Sequence, residues 1–243
     1  MRPTLEVCVD TAAGLRTCAE EGVDRVELCS ALSVGGLTPS LGMMKLAAQL
    51  PVDAHVMIRP RDGDFIFSAD EVAMMCADIQ CARDLGLSGV VLGAVRPDGG
   101  LDENTLRQLI TVAGPMSLTL HRVVDTLTDP SEAIDIAIGL GFKRILTSGG
   151  AKTAAEGKAM IARMNRLANG RIEIMAGSGV TPQNLPEIAA AGIIHFHASC
   201  RDTQKNSDAI SKLGFGADQQ PDTSAARIRA MKDALNQLLN EVI

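Results

Sequence analysis

Eight apolar, β-branched runs recur along the 243-residue chain, at about 4–9, 24–29, 53–59, 89–93, 117–121, 143–147, 172–176 and 193–198. Most are near-continuous rather than alternating, which is how parallel strands covered on both faces read. Between them lie segments with helical start and stop signals. Ser68 and Glu71 form a capping-box pair ahead of Val72, Met75, Cys76 and Ile79, which share one helical face. Asp129, Pro130 and Glu132 mark a second helix start, and Thr181 with Pro182 a third. Gly22, Gly86, Gly141 and Gly192 each close a helix before a strand, where left-handed backbone is wanted. The strand-loop-helix rhythm predicts a parallel sheet. Eight units in a chain this long predict a closed (β/α)8 TIM barrel, a fold of about 250 residues. No linker interrupts the pattern, so residues 1–243 read as a single TIM-barrel domain. One long polar loop is expected at about 199–221, before the C-terminal helix.

Composition narrows the function classes. Five Phe and no Trp or Tyr leave no aromatic platform for stacking bases. The 23 basic and 29 acidic residues give a net charge of -6 without a basic run, which argues against nucleic acid as a partner. The N-terminal MRPTLEVCVD lacks an apolar leader, and no apolar run approaches the roughly 18 residues that span a bilayer. The chain therefore reads as soluble and cytoplasmic, with no membrane partner. Six cysteines are too dilute for a disulfide scaffold, and Cys18, Cys76 and Cys81 fall in helical patterns as small apolar residues. Helical faces rich in Met and Ala leave a homo-oligomer open.

Chemistry is expected where barrel strands end at their C-terminal rim. There Glu6 and Cys8 are echoed by Glu27 and Cys29, in each case on alternate residues and so on one strand face. Arg59 and Arg61, His121, Arg122 and Asp125 follow, then Ser148, Gly149, Gly177, Gly179, His195 and His197. All four histidines fall at or near strand ends by this reading. Buried ionisable groups must be paired or hydrated, and Arg59 with Glu6 or Glu27 is the expected pair.

Three sub-sites stand out. The turns Thr147-Ser148-Gly149-Gly150 and Ala176-Gly177-Ser178-Gly179 can present backbone N–H groups to an anion, although glycine in a tight turn needs no ligand to explain it. Arg59 and Arg61 bracket Pro60 and can hold a carboxylate or phosphate, or else serve as a core ion pair and a solvated surface group. Parallel neighbours lie about 4.8 Å apart, so aligned first and second strands would set Cys8 and Cys29 on one ligand. Two thiolates favour Cu(I) over hard cations; two inert rim thiols are the plain alternative.

The blocks LEVCVD (5–10), DRVELCS (24–30), GGLTPSLG (35–42), MIRPRDGDF (57–65), TLHRVVD (119–125), ILTSGG (145–150), MAGSGV (175–180) and FHAS (196–199) resemble the CutC family, named for copper homeostasis. Asp62 stands where that family usually has Gly. Leu120, Val123 and Val124 replace the more usual Phe, Ala and Phe, and His195 is an extra histidine. The resemblance implies a (β/α)8 barrel, a cytoplasmic location, and Cu(I) ligands at Cys8 and Cys29. Two functions are carried forward. The first is copper homeostasis through Cu(I) binding at the rim. The second is a TIM-barrel enzyme acting on a small anionic or phosphorylated metabolite. It would bind through Arg59, Arg61, Ser148, Gly149, Gly177, Gly179 and His197, with Glu6, Glu27 and His121 as acid–base groups.

Overall fold

The computed structural model describes residues 2–205, 208–213 and 219–241. Eight parallel strands close in sequence order into a barrel: β1 (Thr4–Val9), β2 (Arg25–Leu28), β3 (Ala54–Met57), β4 (Gly89–Leu92), β5 (Ser117–Leu120), β6 (Arg144–Thr147), β7 (Glu173–Ala176) and β8 (His195–Ala198). β8 pairs back onto β1, placing Glu6 opposite His197. The fold is the expected TIM barrel, and every apolar run of the sequence contains one strand.

Helices α1 (Ala12–Glu21), α2 (Leu41–Ala47), α3 (Ala69–Asp84), α4 (Glu103–Ala113), α5 (Ala133–Leu140), α6 (Lys158–Ala168) and α7 (Leu185–Ala189) alternate with the strands. Helix α3 starts as its sequence dictates. Ser68 Oγ accepts from the Glu71 amide at 3.2 Å, and Glu71 returns the bond to the Ser68 amide at 2.7 Å. The α3 face carrying Val72, Met75, Ile79 and Ala82 is buried. Gly22 and Gly141 close α1 and α5 in the left-handed region, at φ 59° and 83°.

The main core lies between the sheet and the helices, where Leu5, Val7, Val26, Leu28, Val56 and Ile58 point. Inside the barrel the apolar cluster is small, Cys29, Met57 and Val91 with Leu32. Leu146 and Met175 are also buried on the inward face, and much of the remaining interior is polar. Arg144 donates to Glu173 at 3.0 Å and to Ser117 and Thr119 at 3.1 Å, and Arg25 reaches Glu6 at 3.2 Å. Buried cations tolerate such a place only when partnered. Gly89 makes room beside this network, since a Cβ there would meet His55 Cε1 at 2.6 Å.

The stretch expected as a loop at 199–221 carries regular structure among its described residues, and 206–207 and 214–218 lie outside them. Antiparallel strands β9 (Arg201–Lys205) and β10 (Gln219–Thr223) pair with each other, and a short helix α8 (Asp208–Lys212) lies between them in sequence. Thr11 donates to Asp222 at 2.7 Å, which pins the ribbon near the start of α1. RDTQK and QQPDT alternate nothing apolar, so no strand signal exists to read. The final helix α9 (Ala225–Glu241) packs on α1 and β1.

Candidate functional site

A cavity of about 670 Å³ opens at the C-terminal end of the strands. Cys8, Glu27 and His197 lie at its floor, with Arg59, Phe65 and His121 along one wall and Ser178, Gly179 and Val180 along another.

The floor follows from strand register. A repeated Glu-x-Cys suggests aligning Glu6 with Glu27 and Cys8 with Cys29. Instead Glu6 faces Arg25 and Cys8 faces Glu27. A closed barrel must stagger its strands, and here the stagger slides the motif by two residues. One ligand atom each from Cys8, Glu27 and His197 therefore lies within 4.8 Å of the other two. Cys29 stands outside that group. Its thiol is fully buried and donates to Glu27 Oε2 at 3.6 Å. The Cys8 thiol points toward the Ala198 carbonyl at 3.9 Å.

His197 Nδ1 lies 2.9 Å from Glu6 Oε1, and Nε2 lies 3.6 Å from Glu27 Oε2. Burial disfavours the charged imidazole. Glu27 and Cys8, with the hydrogen bonds the ring makes to Cys8 and Glu6, outweigh it and hold the pKa well above the usual range. Burial also works on Glu6, but His197, Arg25 and His55 overcome it and keep the pKa at about 2. In Glu27 burial wins: with the Glu6 charge it lifts the pKa to about 7 against the pull of His197. Burial, then Glu27, raises the Cys29 thiol well above its usual value. Two carboxylates on one imidazole thus differ in role, Glu6 as an ionised orienting group and Glu27 as a group titrating near neutrality.

This floor suits a single metal ion. Glu27 Oε1 is buried without a hydrogen-bond partner among the described residues. A ligating His usually turns its second nitrogen to a carboxylate, as His197 does to Glu6.

The wall departs from expectation. Arg59 pairs with neither Glu6 nor Glu27. Its guanidinium donates to the carbonyls of Val34 at 2.8 Å, Gly36 at 3.2 Å and Gly63 at 3.0 Å. The Phe65 ring lies 4.8 Å from its Cζ. Strand β3 lifts Arg59 above the level of both carboxylates, so loop carbonyls reach it first. Arg61 lies outside the cavity lining, half-buried and paired with Asp64 and Glu71. His121 accepts from the Val123 amide on Nδ1 at 3.1 Å, and burial, then the Arg59 charge, holds its pKa at about 3. A ring held neutral in this way is a weak proton acceptor near pH 7.

The two glycine turns differ. After β6, Ser148 and Gly150 give their amides to Asp125, and Gly149 gives its amide to Thr147 Oγ1 at 2.8 Å. The anion in that turn is the protein's own. After β7, Gly177 donates to Thr147 O at 2.9 Å, while Gly179 and Val180 donate to no acceptor among the described residues. Gly177 is also needed for close approach, because a Cβ would meet Leu146 Cδ1 at 2.5 Å. Nor do all histidines gather at the rim. His55 and His195 sit at the N-terminal ends of their strands, bound to Asp53 and Thr4. Phe65 and Asp125 gained no role from the sequence. Each also meets partners far along the chain, Phe65 the His121 ring and Asp125 the turn after β6.

Comparison with known proteins follows this geometry. Residues 3–202 match the CutC family. A CutC family protein of Sinorhizobium medicae is 48% identical over 98% of this chain and 98% of its own length. The crystal structure of a Streptococcus agalactiae CutC, provisionally named for copper homeostasis, superposes with TM-score 0.77. It is 33% identical and covers 81% of this chain and 98% of its own. Thiamine phosphate pyrophosphorylase of Pyrococcus furiosus shares the fold alone, at TM-score 0.61 and 13% identity over 97% of this chain and 96% of its own.

Proposed function

The chain belongs to the CutC family, and from that premise we propose that it serves copper homeostasis in the cytoplasm by binding one copper ion between Cys8, Glu27 and His197. The observation that carries this reading is the convergence of their ligand atoms within 4.8 Å at the cavity floor. A thiolate beside an imidazole suits copper better than a hard cation, and the S. agalactiae relative carries the copper name. Cys29 supports the site through Glu27 rather than as a ligand. Anaerobic Cu(I) titration against a competing chelator tests the assignment. Cys8→Ser and His197→Gln should each weaken binding at least about tenfold. Cys29→Ser should change it little. Tight binding by Cys8→Ser overturns the reading, and loss in Cys29→Ser alongside Cys8→Ser moves the site to the two thiols.

One observation favours a second reading, an enzyme acting on a small anionic metabolite. The cavity of about 670 Å³ falls within the range of about 300–1,000 Å³ typical of small-molecule sites and far exceeds an ion. In that reading Glu27 and His197 exchange protons with the substrate. A thermal-shift screen of carboxylated and phosphorylated metabolites tests it.

A further inference from the structure

Arg59 differs from the other arginines of the barrel, buried Arg144 and half-buried Arg25. Arg25 and Arg144 each meet a carboxylate, Glu6 and Glu173 respectively, whereas Arg59 forms no ion pair among the described residues. Its three carbonyl bonds fix it firmly but use only three of five N–H groups, and Nε is buried with no acceptor. The residue is 6% exposed, so a full positive charge sits in the cavity wall uncompensated by any carboxylate contact among the described residues.

His121 repeats the pattern. The Val123 amide donates to Nδ1, so a neutral ring carries its proton on Nε2. Nε2 is buried and unpartnered. The Phe65 ring bridges the two groups, 4.8 Å from the Arg59 Cζ and 5.0 Å, centroid to centroid, from the imidazole. Two fixed donors, one charged and both lacking an acceptor, thus share one cavity wall. Buried donors left unpaired are costly, and a bound acceptor removes the cost.

We propose that Arg59, His121 and Phe65 form an oxyanion cradle that takes the carboxylate or phosphate group of a small organic anion, with His121 donating from Nε2. The proposal deepens the second reading above, by naming the group the substrate presents, and it shares no residue with the metal cluster. Both donor atoms are closed to solvent, so the Phe65 ring that lies against both groups shifts to admit the anion to the Nε edge of Arg59 and the Nε2–H of His121, and covers its apolar side. A fixed neutral donor beside a fixed cation stabilises negative charge without reorganising.

The test uses copper-free full-length protein labelled with ¹⁵N-histidine, and oxalate, pyruvate and inorganic phosphate as probes. Expected is a neutral, Nε2–H His121 throughout the neutral range, and a shift of that nitrogen on adding a probe. Arg59→Gln and His121→Phe should each weaken probe binding by about tenfold or more, as loss of a charge-assisted bond predicts. His121→Asn, which keeps a donor, should retain part of it. Arg61→Gln should bind as wild type does. Response to the carboxylates alone, or to phosphate alone, supports the cradle and fixes its ligand. No response from wild type to any probe at tens of millimolar overturns it, as does undiminished binding by a folded Arg59→Gln. The readout is binding, so a missing reaction is never mistaken for a missing cradle.

Discussion

Asp125 takes the Ser148 amide on both carboxylate oxygens, at 2.9 Å on Oδ2 and 3.1 Å on Oδ1. Gly150 N, Thr147 Oγ1 and Ser148 Oγ add three more bonds, at 2.9, 2.5 and 2.9 Å. Arg122 Nε completes the set at 2.8 Å. A residue from the loop after β5 thereby occupies the turn after β6 as a built-in anion. Asp125→Ala removes every acceptor at once and should cost about 3 kcal/mol in urea unfolding, the upper range for bonds to a charged group. Formate should restore part of the loss, because the vacated turn still presents its amides. Equal destabilisation with and without formate would assign the loss to packing.

The pH dependence of stability separates Glu27 from Glu6. Burial, reinforced by Glu6 and opposed by His197, raises Glu27 from 4.5 to about 7. Between those values the folded chain binds more protons than the unfolded one, so this group makes stability fall as pH rises through the window. Glu6 is lowered from 4.5 to about 2, so its contribution is full above 4.5 and lost as pH falls through 2. Glu27→Gln should flatten the slope between pH 4.5 and 7 while leaving the acid limb. Denaturation midpoints across that range give the answer, and an unchanged slope would place the titration elsewhere.

The start of α3 offers a simpler measurement. Ser68 and Glu71 satisfy each other's amides, away from the cavity. Ser68→Ala should cost about 1 kcal/mol and leave Cu(I) binding intact. A change in copper affinity would mean that the cap governs the rim through α3.

Local pattern made the barrel legible. Each barrel strand announces itself by an apolar run, and the α3 cap and the glycines after α1 and α5 each follow from residues a few positions apart. The site needed register, which one sequence does not carry. Glu6, Cys8, Glu27 and His197 were all visible as rim candidates, but Cys8 was matched to Cys29 because the motif repeats. The two-residue stagger that places Cys8 beside Glu27 is a property of closure. Arg59 was assigned a carboxylate for the same reason: charge complementarity is readable from composition, whereas a loop carbonyl at Val34 or Gly63 leaves no side-chain signal. His121 is legible as an acid–base candidate, whereas the Val123 amide that sets its tautomer is a backbone group with no side-chain signal.

Gly93 carries the last prediction, because it joins backbone sterics to the cradle. It follows β4 in the wall, beside the imidazole of His121. A Cβ at this position would meet His121 Cε1 and Val123 Cγ1, both at 2.6 Å. His121 and Val123 are buried, at 3% and 0% exposure, so neither can swing into solvent to make room. Gly93→Ala should therefore destabilise the fold by about 1–3 kcal/mol, the usual cost of overpacking. It should also turn the imidazole away from the Val123 amide and weaken oxalate or phosphate binding together with stability. Gly139→Ala is the matched control, since its Cβ would meet nothing within 4 Å. Gly139 lies inside α5, where alanine should add about 0.5–1 kcal/mol. If Gly93→Ala unfolds with wild-type stability and binds the probes unchanged, His121 is not held against that backbone and the cradle loses the wall that positions it.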